Sequence, residues 1–419
     1  MIRMKRFITF LSLIFLCIVG NNFCNAQNTL DYYLQNSQKN NPNLKDFSNQ
    51  INITSIDSVK ARRDFGYKVD GIGDASYSPQ FSGYGYDGNT TVNGRNLTLI
   101  GRVSKELVSK RNFNIKLNSF SIAIQQLLNQ KNLSALNIKR AVTEQFLLAY
   151  ASQEQLKIDR EILHIFDQED LVLKKLTQKS VFRQTEYLTF KVTQQQNELL
   201  QKQHYADFKN NFGLLQYLSG LQNQPEMDLV SPDFYAKIET QFEESIYAKT
   251  FETDSLKLKN DIDLVNYNYR PKISIYADGG YSSALVQTPY KNFGASAGVT
   301  LNIPIYDGHQ RQLSIEQKKI EFDTRKNYVT FYKKQFEQQK SQIENQILQY
   351  REMVNLATTQ MKYSKTLIEA NLKQLPTGDV KMVDFILAIT NYTTLKSGLL
   401  TYKMQLLKLQ NQYENIILQ

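Results

Sequence analysis

The sequence predicts a mainly α chain with some β structure: long antiparallel coiled-coil helical hairpins plus four strands, built by internal duplication. Three observations lead there. The chain has 419 residues but only 18 Gly and 8 Pro, so turns are few and elements long. That disfavours multi-strand sandwiches and propellers, which need turn signals every 8–12 residues. Next, 67–78 (YKVDGIGDASYS) and 271–282 (PKISIYADGGYS) share Lys68/Lys272, Asp74/Asp278, Tyr77/Tyr281 and Ser78/Ser282 at an offset of 204. A loop, a second alternating strand, a very long helical stretch, a break and a second helical stretch follow each copy, as two copies of one half would. Last, four segments of about 10 residues alternate between apolar and polar, the period of a strand with one apolar face.

Taken in order, residues 1–26 read as an export signal. Arg3, Lys5 and Arg6 precede the apolar run FITFLSLIFLCIV (Phe7 to Val19), and Asn25-Ala26-Gln27 ends on a small residue suited to cleavage. The run is shorter than the roughly 20 residues of a spanning helix. Removing residues 1–26 lowers the formal charge from +10 to +7 and takes away Cys17 and Cys24, the only cysteines. Disulfides, cysteine zinc sites and a cysteine nucleophile are then excluded. The remainder holds no stretch of 18 apolar residues, so it is expected to be soluble or a β-barrel.

The first half, 27–220, carries strands at about 67–78 and 96–107. Val69, Gly71, Gly73, Ala75 and Tyr77 alternate with Lys68, Asp70, Asp74, Ser76 and Ser78, and Leu97, Leu99, Gly101 and Val103 with Thr98, Arg102 and Ser104. Ile72 breaks the polar face, as Tyr276 does in the second copy. A half-buried strand in a soluble sheet alternates in the same way; the leader and the polar, Gly- and Tyr-rich loop Pro79–Arg95 favour a membrane barrel. The helical hairpin spans about 111–218 with its tip at 177–181. Arg111 to Lys174 lacks Pro and Gly and would extend about 96 Å.

The second half, 221–419, opens with an equatorial segment at about 221–252. Strands follow at about 271–283 and 294–305, joined by the shorter loop Ser283–Lys291. Its hairpin spans 309–418 with a tip at 375–379, and its first helix, His309 to Gln374, would extend about 99 Å. In the return helix, Phe385, Ile389, Tyr392, Leu395, Leu399, Tyr402, Leu406, Leu409, Tyr413 and Ile416 step by a mean of 3.44, close to a coiled-coil seam. Four strands cannot close a barrel, and an open edge in lipid leaves backbone groups unpaired. Other chains must therefore complete the wall.

Sites for chemistry are lacking. His164, His204 and His309 are isolated and read as exposed helix residues, and no Gly-rich phosphate loop or nucleophile elbow occurs. The basic residues form no dense patch interleaved with aromatics, which argues against nucleic acid. The chain is expected to be no enzyme and to use no metal or cofactor.

The duplicated strand–loop–strand and helical hairpin, with Gly298-Val-Thr-Leu-Asn-Ile-Pro-Ile-Tyr-Asp-Gly308 and Gly378-Asp-Val-Lys-Met-Val-Asp-Phe-Ile-Leu-Ala388, resemble the TolC-type outer-membrane efflux protein family. The likeness covers essentially the whole mature chain. In the first copy Glu106-Leu107 replaces the family's proline-apolar pair, and Ser180 stands where the tip glycine would be. The resemblance implies a homotrimer, with a 12-stranded transmembrane β-barrel in outer-membrane lipid and a trimeric α-barrel crossing the periplasm. It implies a passive exit duct for efflux or type I secretion, joined through a periplasmic adaptor to an inner-membrane transporter.

For residues, the resemblance implies adaptor contact at the tips through Pro376, Gly378, Asp379, Ser180 and Val181. It implies a periplasmic gate with acidic Asp384 and Glu186. The family's second acidic position falls on Leu387 and its bridging arginine on Val380, with Lys381 and Arg183 nearby. Closure is then expected from packing around Leu375, Phe385 and Leu387. Lys68, Asp74, Arg102, Lys272 and Asp278, on the polar strand faces, are expected to line the barrel lumen. The alternative is a periplasmic adaptor; such proteins normally carry one hairpin per chain and no barrel strands.

Overall fold

The computed structural model describes residues 28–78, 95–222, 224–234, 241–284 and 289–418. The expected leader and the loop at 79–94 lie outside the described residues, as do 285–288 of the second loop. In order the elements are α1 (Leu30–Asn40), α2 (Pro42–Asp64), β1 (Lys68–Tyr77), β2 (Arg95–Leu107), α3 (Lys110–Gln178), α4 (Gln184–Leu218), a 3-10 turn (Phe242–Glu244), α5 (Ile246–Asn268), β3 (Lys272–Ser283), β4 (Phe293–Asn302), α6 (Gln310–Gln374) and α7 (Met382–Leu418). The order helix, two strands, long helix, shorter helix thus runs from Pro42 to Leu218 and again from Ile246 to Leu418.

By packing the chain forms two units. One holds the residues up to Lys45 with Asn132–Tyr247 and Tyr332–Gln419; the other holds Asp46–Lys131 and Ala248–Phe331. The second contains a four-stranded antiparallel sheet of order β1-β2-β3-β4. Its register runs without a bulge across all four strands, through rows such as Asp70↔Arg102↔Asp278↔Ser296. β4 ends at Asn302, short of the expected 305, since Pro304 has no N–H for a ladder bond. Tyr276, the exception on the polar face, packs its ring over Gly298 in the next strand; a Cβ there would lie 2.5 Å from the Tyr276 hydroxyl.

Three helices stand where the sequence suggested no element: α1, α2 and α5, the last beginning inside the expected equatorial segment. α1 is short and contributes the fully buried Tyr33 to a core with Phe146, Phe212 and Leu215 of α3 and α4. Tertiary burial, more than propensity, holds so short a helix. The segment after α4 is strapped to the same core. The buried Gln153 side chain accepts from Leu229 N–H at 2.7 Å and donates to Leu229 C=O at 3.1 Å.

A second core lies at the helical tips. Phe166 and Leu173 of α3, Phe182, Phe190 of α4, Ile368 of α6, Leu375, and Met382, Phe385 and Ile389 of α7 are buried together there.

Candidate functional site

The sheet sorts its side chains by chemistry. Successive residues face opposite sides of a strand, so the unbroken register brings Lys68, Asp74, Arg102, Lys272 and Asp278 to one face. There the Arg102 guanidinium donates to Asp278 Oδ2 at 2.7 and 3.1 Å and sits 4.8 Å from the Tyr276 ring centroid. Ser296 Oγ donates to Asp278 Oδ1 at 2.5 Å, and Asn96 Nδ2 to Asp74 at 3.3 Å. Lys68 Nζ lies 3.8 Å from Asp64, and Lys272 Nζ lies 5.9 Å from the Tyr267 ring centroid. The other face carries Val69, Leu99, Val103, Ile273, Ile275, Phe293, Val299 and Leu301, every one exposed in the single chain, Val69 at 76% and Phe293 at 74%. A soluble sheet buries such a face.

At the tips, α3 ends in a Schellman turn. Val181 N–H donates to Leu176 C=O at 2.9 Å and Ser180 N–H to Thr177 C=O at 3.0 Å, with Ser180 at φ +65°. The second tip turns through Pro376, Thr377, Gly378 and Asp379. Gly378 stands at φ +79°, and Thr377 Oγ1 is 2.6 Å from Asp379 Oδ2. The expected contact residues Val181, Pro376, Gly378, Asp379 and Ser180 are all exposed.

The residues expected at a gate divide. Asp384 and Glu186 sit in the first turns of α7 and α4. Asp384 is exposed, whereas Glu186 is half-buried and its carboxylate accepts from Arg183 N–H at 2.8 Å, satisfying one free donor of the helix start. Leu375 and Phe385 are both at 0% exposure inside the chain's own tip core; among the three apolar residues only Leu387, at 57%, faces outward. Val380 is buried, while Lys381 and Arg183 are exposed.

Sequence reasoning missed a cross-link beside the tip core. Glu161 of α3 accepts from the Tyr392 hydroxyl of α7 at 2.7 Å and from Lys396 Nζ. Burial raises the Glu161 pKa, but the Lys396 and Tyr392 hydrogen bonds outweigh it and hold the group below the usual carboxylate value. Burial, then the Glu161 hydrogen bond, push the Tyr392 hydroxyl up. Tyr392 counted only as a seam residue in sequence, since its partner lies 231 positions away.

Two helix edges remain uncovered in the chain. Leu188, Val192 and Leu199 on α4 are exposed, as are Leu367, Tyr363 and Leu356 on α6. Counted away from their tips, both triplets step by four and then seven residues.

His204 corrects the expectation of exposed, isolated histidines. Its Nδ1 is 2.6 Å from Oδ2 of the mostly buried Asp159, an α3–α4 link. Among the described residues no cluster of three or more His, Cys, Asp or Glu could hold a metal, and no helix is long and apolar enough to cross a membrane.

Comparison with known proteins adds the fold. Neither a protein-family profile nor any curated protein matches the sequence. Solved structures do match over nearly the whole length. The outer membrane protein VceC of Vibrio cholerae aligns with TM-score 0.75 at 10% identity, covering 93% of this chain and 95% of its own. CusC, described through its transmembrane channel formation, aligns with TM-score 0.75 at 12% identity over 94% and 92%. The open-state MtrE outer membrane channel of Neisseria gonorrhoeae aligns with TM-score 0.74 at 11% identity over 93% and 89%. The chain has the fold of TolC-type outer-membrane efflux channels.

Proposed function

We propose that the chain is the outer-membrane exit duct of a tripartite efflux or type I secretion system, working as a homotrimer. The observation that carries this reading is the sheet: a polar, ion-paired face backs onto an apolar face most of whose large side chains are exposed, and β1 and β4 end the sheet with open edges. Lipid is the environment in which such an apolar face is stable. The open edges require partners there, and three copies of four strands form a closed wall of 12. The shared fold with outer-membrane channels supports the same reading. The duplication would then supply two pseudo-equivalent sixths of the wall, each with its hairpin, per chain.

The helical part closes by the same logic. The α4 stripe of Leu188, Val192 and Leu199 suits the α6 stripe of Leu367, Tyr363 and Leu356 in a neighbouring copy, the helices running antiparallel with their tips level. This contact is heterologous and closes a ring. The tips would then meet a periplasmic adaptor and, through it, an inner-membrane transporter. Substrates would pass along a wall that does no chemistry.

The test is a pair of cysteines, one in each stripe. With both native cysteines in the leader, Val192→Cys with Tyr363→Cys should give disulfide-linked dimers and trimers in the outer-membrane fraction. A monomeric protein released from membranes by carbonate would overturn the reading.

A further inference from the structure

The four strands share one end, set by the start of β1, the finish of β2, the start of β3 and the finish of β4. The residues gathered there, 60–68, 104–116, 267–272 and 302–312, include eleven Lys or Arg against three Asp or Glu. A surplus of eight positive charges thus sits in about a tenth of a chain whose total is +10. Several of these cations meet aromatic rings or neutral amides in place of carboxylates, Lys105, Lys116 and Arg311 among them. Lys105 is the one charged residue between the outer rows of the apolar face, level with Ile275 and Val299, and its Nζ lies 4.4 Å from the centroid of the exposed Tyr67 ring. Lys116 Nζ lies 5.1 Å from the Phe65 ring, which meets Phe113 edge-on at 5.4 Å. Arg311 donates to the neutral Asn266 Oδ1 and lines a cleft of about 740 Å3 with Ile305 and Tyr306, 94% and 79% exposed. Among the described residues none of the three has a carboxylate within ion-pair distance.

We propose that this collar binds the phosphate headgroups of an acidic phospholipid, with the acyl chains lying on the apolar strand face above it. Cations paired with aromatic faces keep their charge available to an anion while their stems cover apolar surface. Aromatic and basic residues at the end of an apolar band are suited to the depth of lipid headgroups. The column Val299, Leu301, Ile303 and Ile305 continues the apolar face into the Arg311 cleft, so one amphiphile can meet both chemistries. The excess of charge makes the phosphate diester of a net-anionic lipid, not a zwitterion, the matching occupant. This inference rests on the membrane reading of the sheet.

The test counts lipids bound to the full-length protein by native mass spectrometry, with phosphatidylglycerol and phosphatidylcholine each added to detergent micelles. Phosphatidylglycerol should bind at least tenfold more tightly, and each cation removed should weaken it roughly fivefold. The triple variant Lys105→Gln, Lys116→Gln, Arg311→Gln should therefore lose the preference, and Lys105→Gln alone should show one such step if the triple variant does not fold. The variant Lys202→Gln, Lys362→Gln, Lys373→Gln removes equal charge elsewhere and should keep it. Equal binding of both lipids, or equal loss in both triple variants, would overturn the collar. Displacement of the lipid by millimolar inorganic phosphate would make it a free-phosphate site and overturn it as well. Flotation with pure phosphatidylcholine vesicles separates the two readings: failure to float sinks the membrane assignment itself, whereas flotation without headgroup preference sinks only the collar.

Discussion

Gly378 of the second tip lies against Val181 of the first: a Cβ at Gly378 would stand 3.1 Å from Val181 Cγ1. Both residues are exposed to solvent on their outer sides, so the two turns present a joint surface. Glycine is needed there twice over, for the approach and for φ +79°. Gly378→Ala should lower stability by about 1–2 kcal/mol through the left-handed backbone alone. Gly378→Trp should abolish transport and adaptor cross-linking while trimer and barrel remain. Survival of both activities would make the turn a connector only.

Ser180 holds the corresponding left-handed position of the first tip at φ +65°. Ser180→Gly should therefore stabilise the chain by about 1 kcal/mol, read as a rise in the thermal midpoint. An unchanged or lower midpoint would mean that the serine side chain offsets the backbone cost.

The two faces of the sheet should respond oppositely to charge. Leu99→Arg or Ala297→Arg, on the apolar face, should cost about 2–4 kcal/mol near the bilayer midplane. Thr98→Arg, on the polar face beside Ser282, should be tolerated. Comparable loss of folded trimer in all three would contradict the assigned orientation.

Acid should loosen the tip through Glu161. Its folded pKa is depressed, so its contribution is present above its unfolded value of 4.5 and is lost as pH falls through the folded value. Between pH 7 and about 4.5 wild type and Glu161→Gln should differ by a constant amount, and the gap should close below that. Thermal midpoints measured across pH 3–7 would show it; a gap that widens with acid has the wrong sign.

The acidic residues at the tips should differ from each other. Exposed Asp384 is free to act on ions. In planar bilayers Asp384→Ala should reduce cation selectivity and weaken block by divalent cations added from the periplasmic side. Glu186 caps Arg183 N–H, so Glu186→Ala should lower stability by about 0.5–2 kcal/mol and shift selectivity less. Unchanged selectivity in both variants would leave them helix-terminal residues only.

Local patterns in the sequence were sufficient for the strands and the long helices. Alternation at Val69 to Tyr77 and at Ala295 to Leu301 expresses a face that each strand carries by itself. The scarcity of Gly and Pro from 111 to 174 leaves a helix no place to stop. The chain-reversing residues at 177–181 and 375–379 were visible for the same reason, because turn geometry is a property of a few neighbours. α1, α2 and α5 were not read from the sequence, although α1 is amphipathic along its 11 residues. Their apolar residues find partners far along the chain, as Tyr33 does at Phe146.

The sequence by itself determined the alternating strands, the long hairpins and the places where they turn, since these follow from side-chain period and backbone freedom within a few residues. Only the tertiary structure decided which side chains meet. It placed Leu375 and Phe385 in the tip core and left Leu387 outside, paired Glu161 with Tyr392 and Lys396, and gave His204 a carboxylate. It also gathered the cations of four separate segments at one end of the sheet. Such pairings join residues up to 235 positions apart, and the physical reason they escape sequence reading is that burial and charge contact depend on packing distance, which no local period encodes.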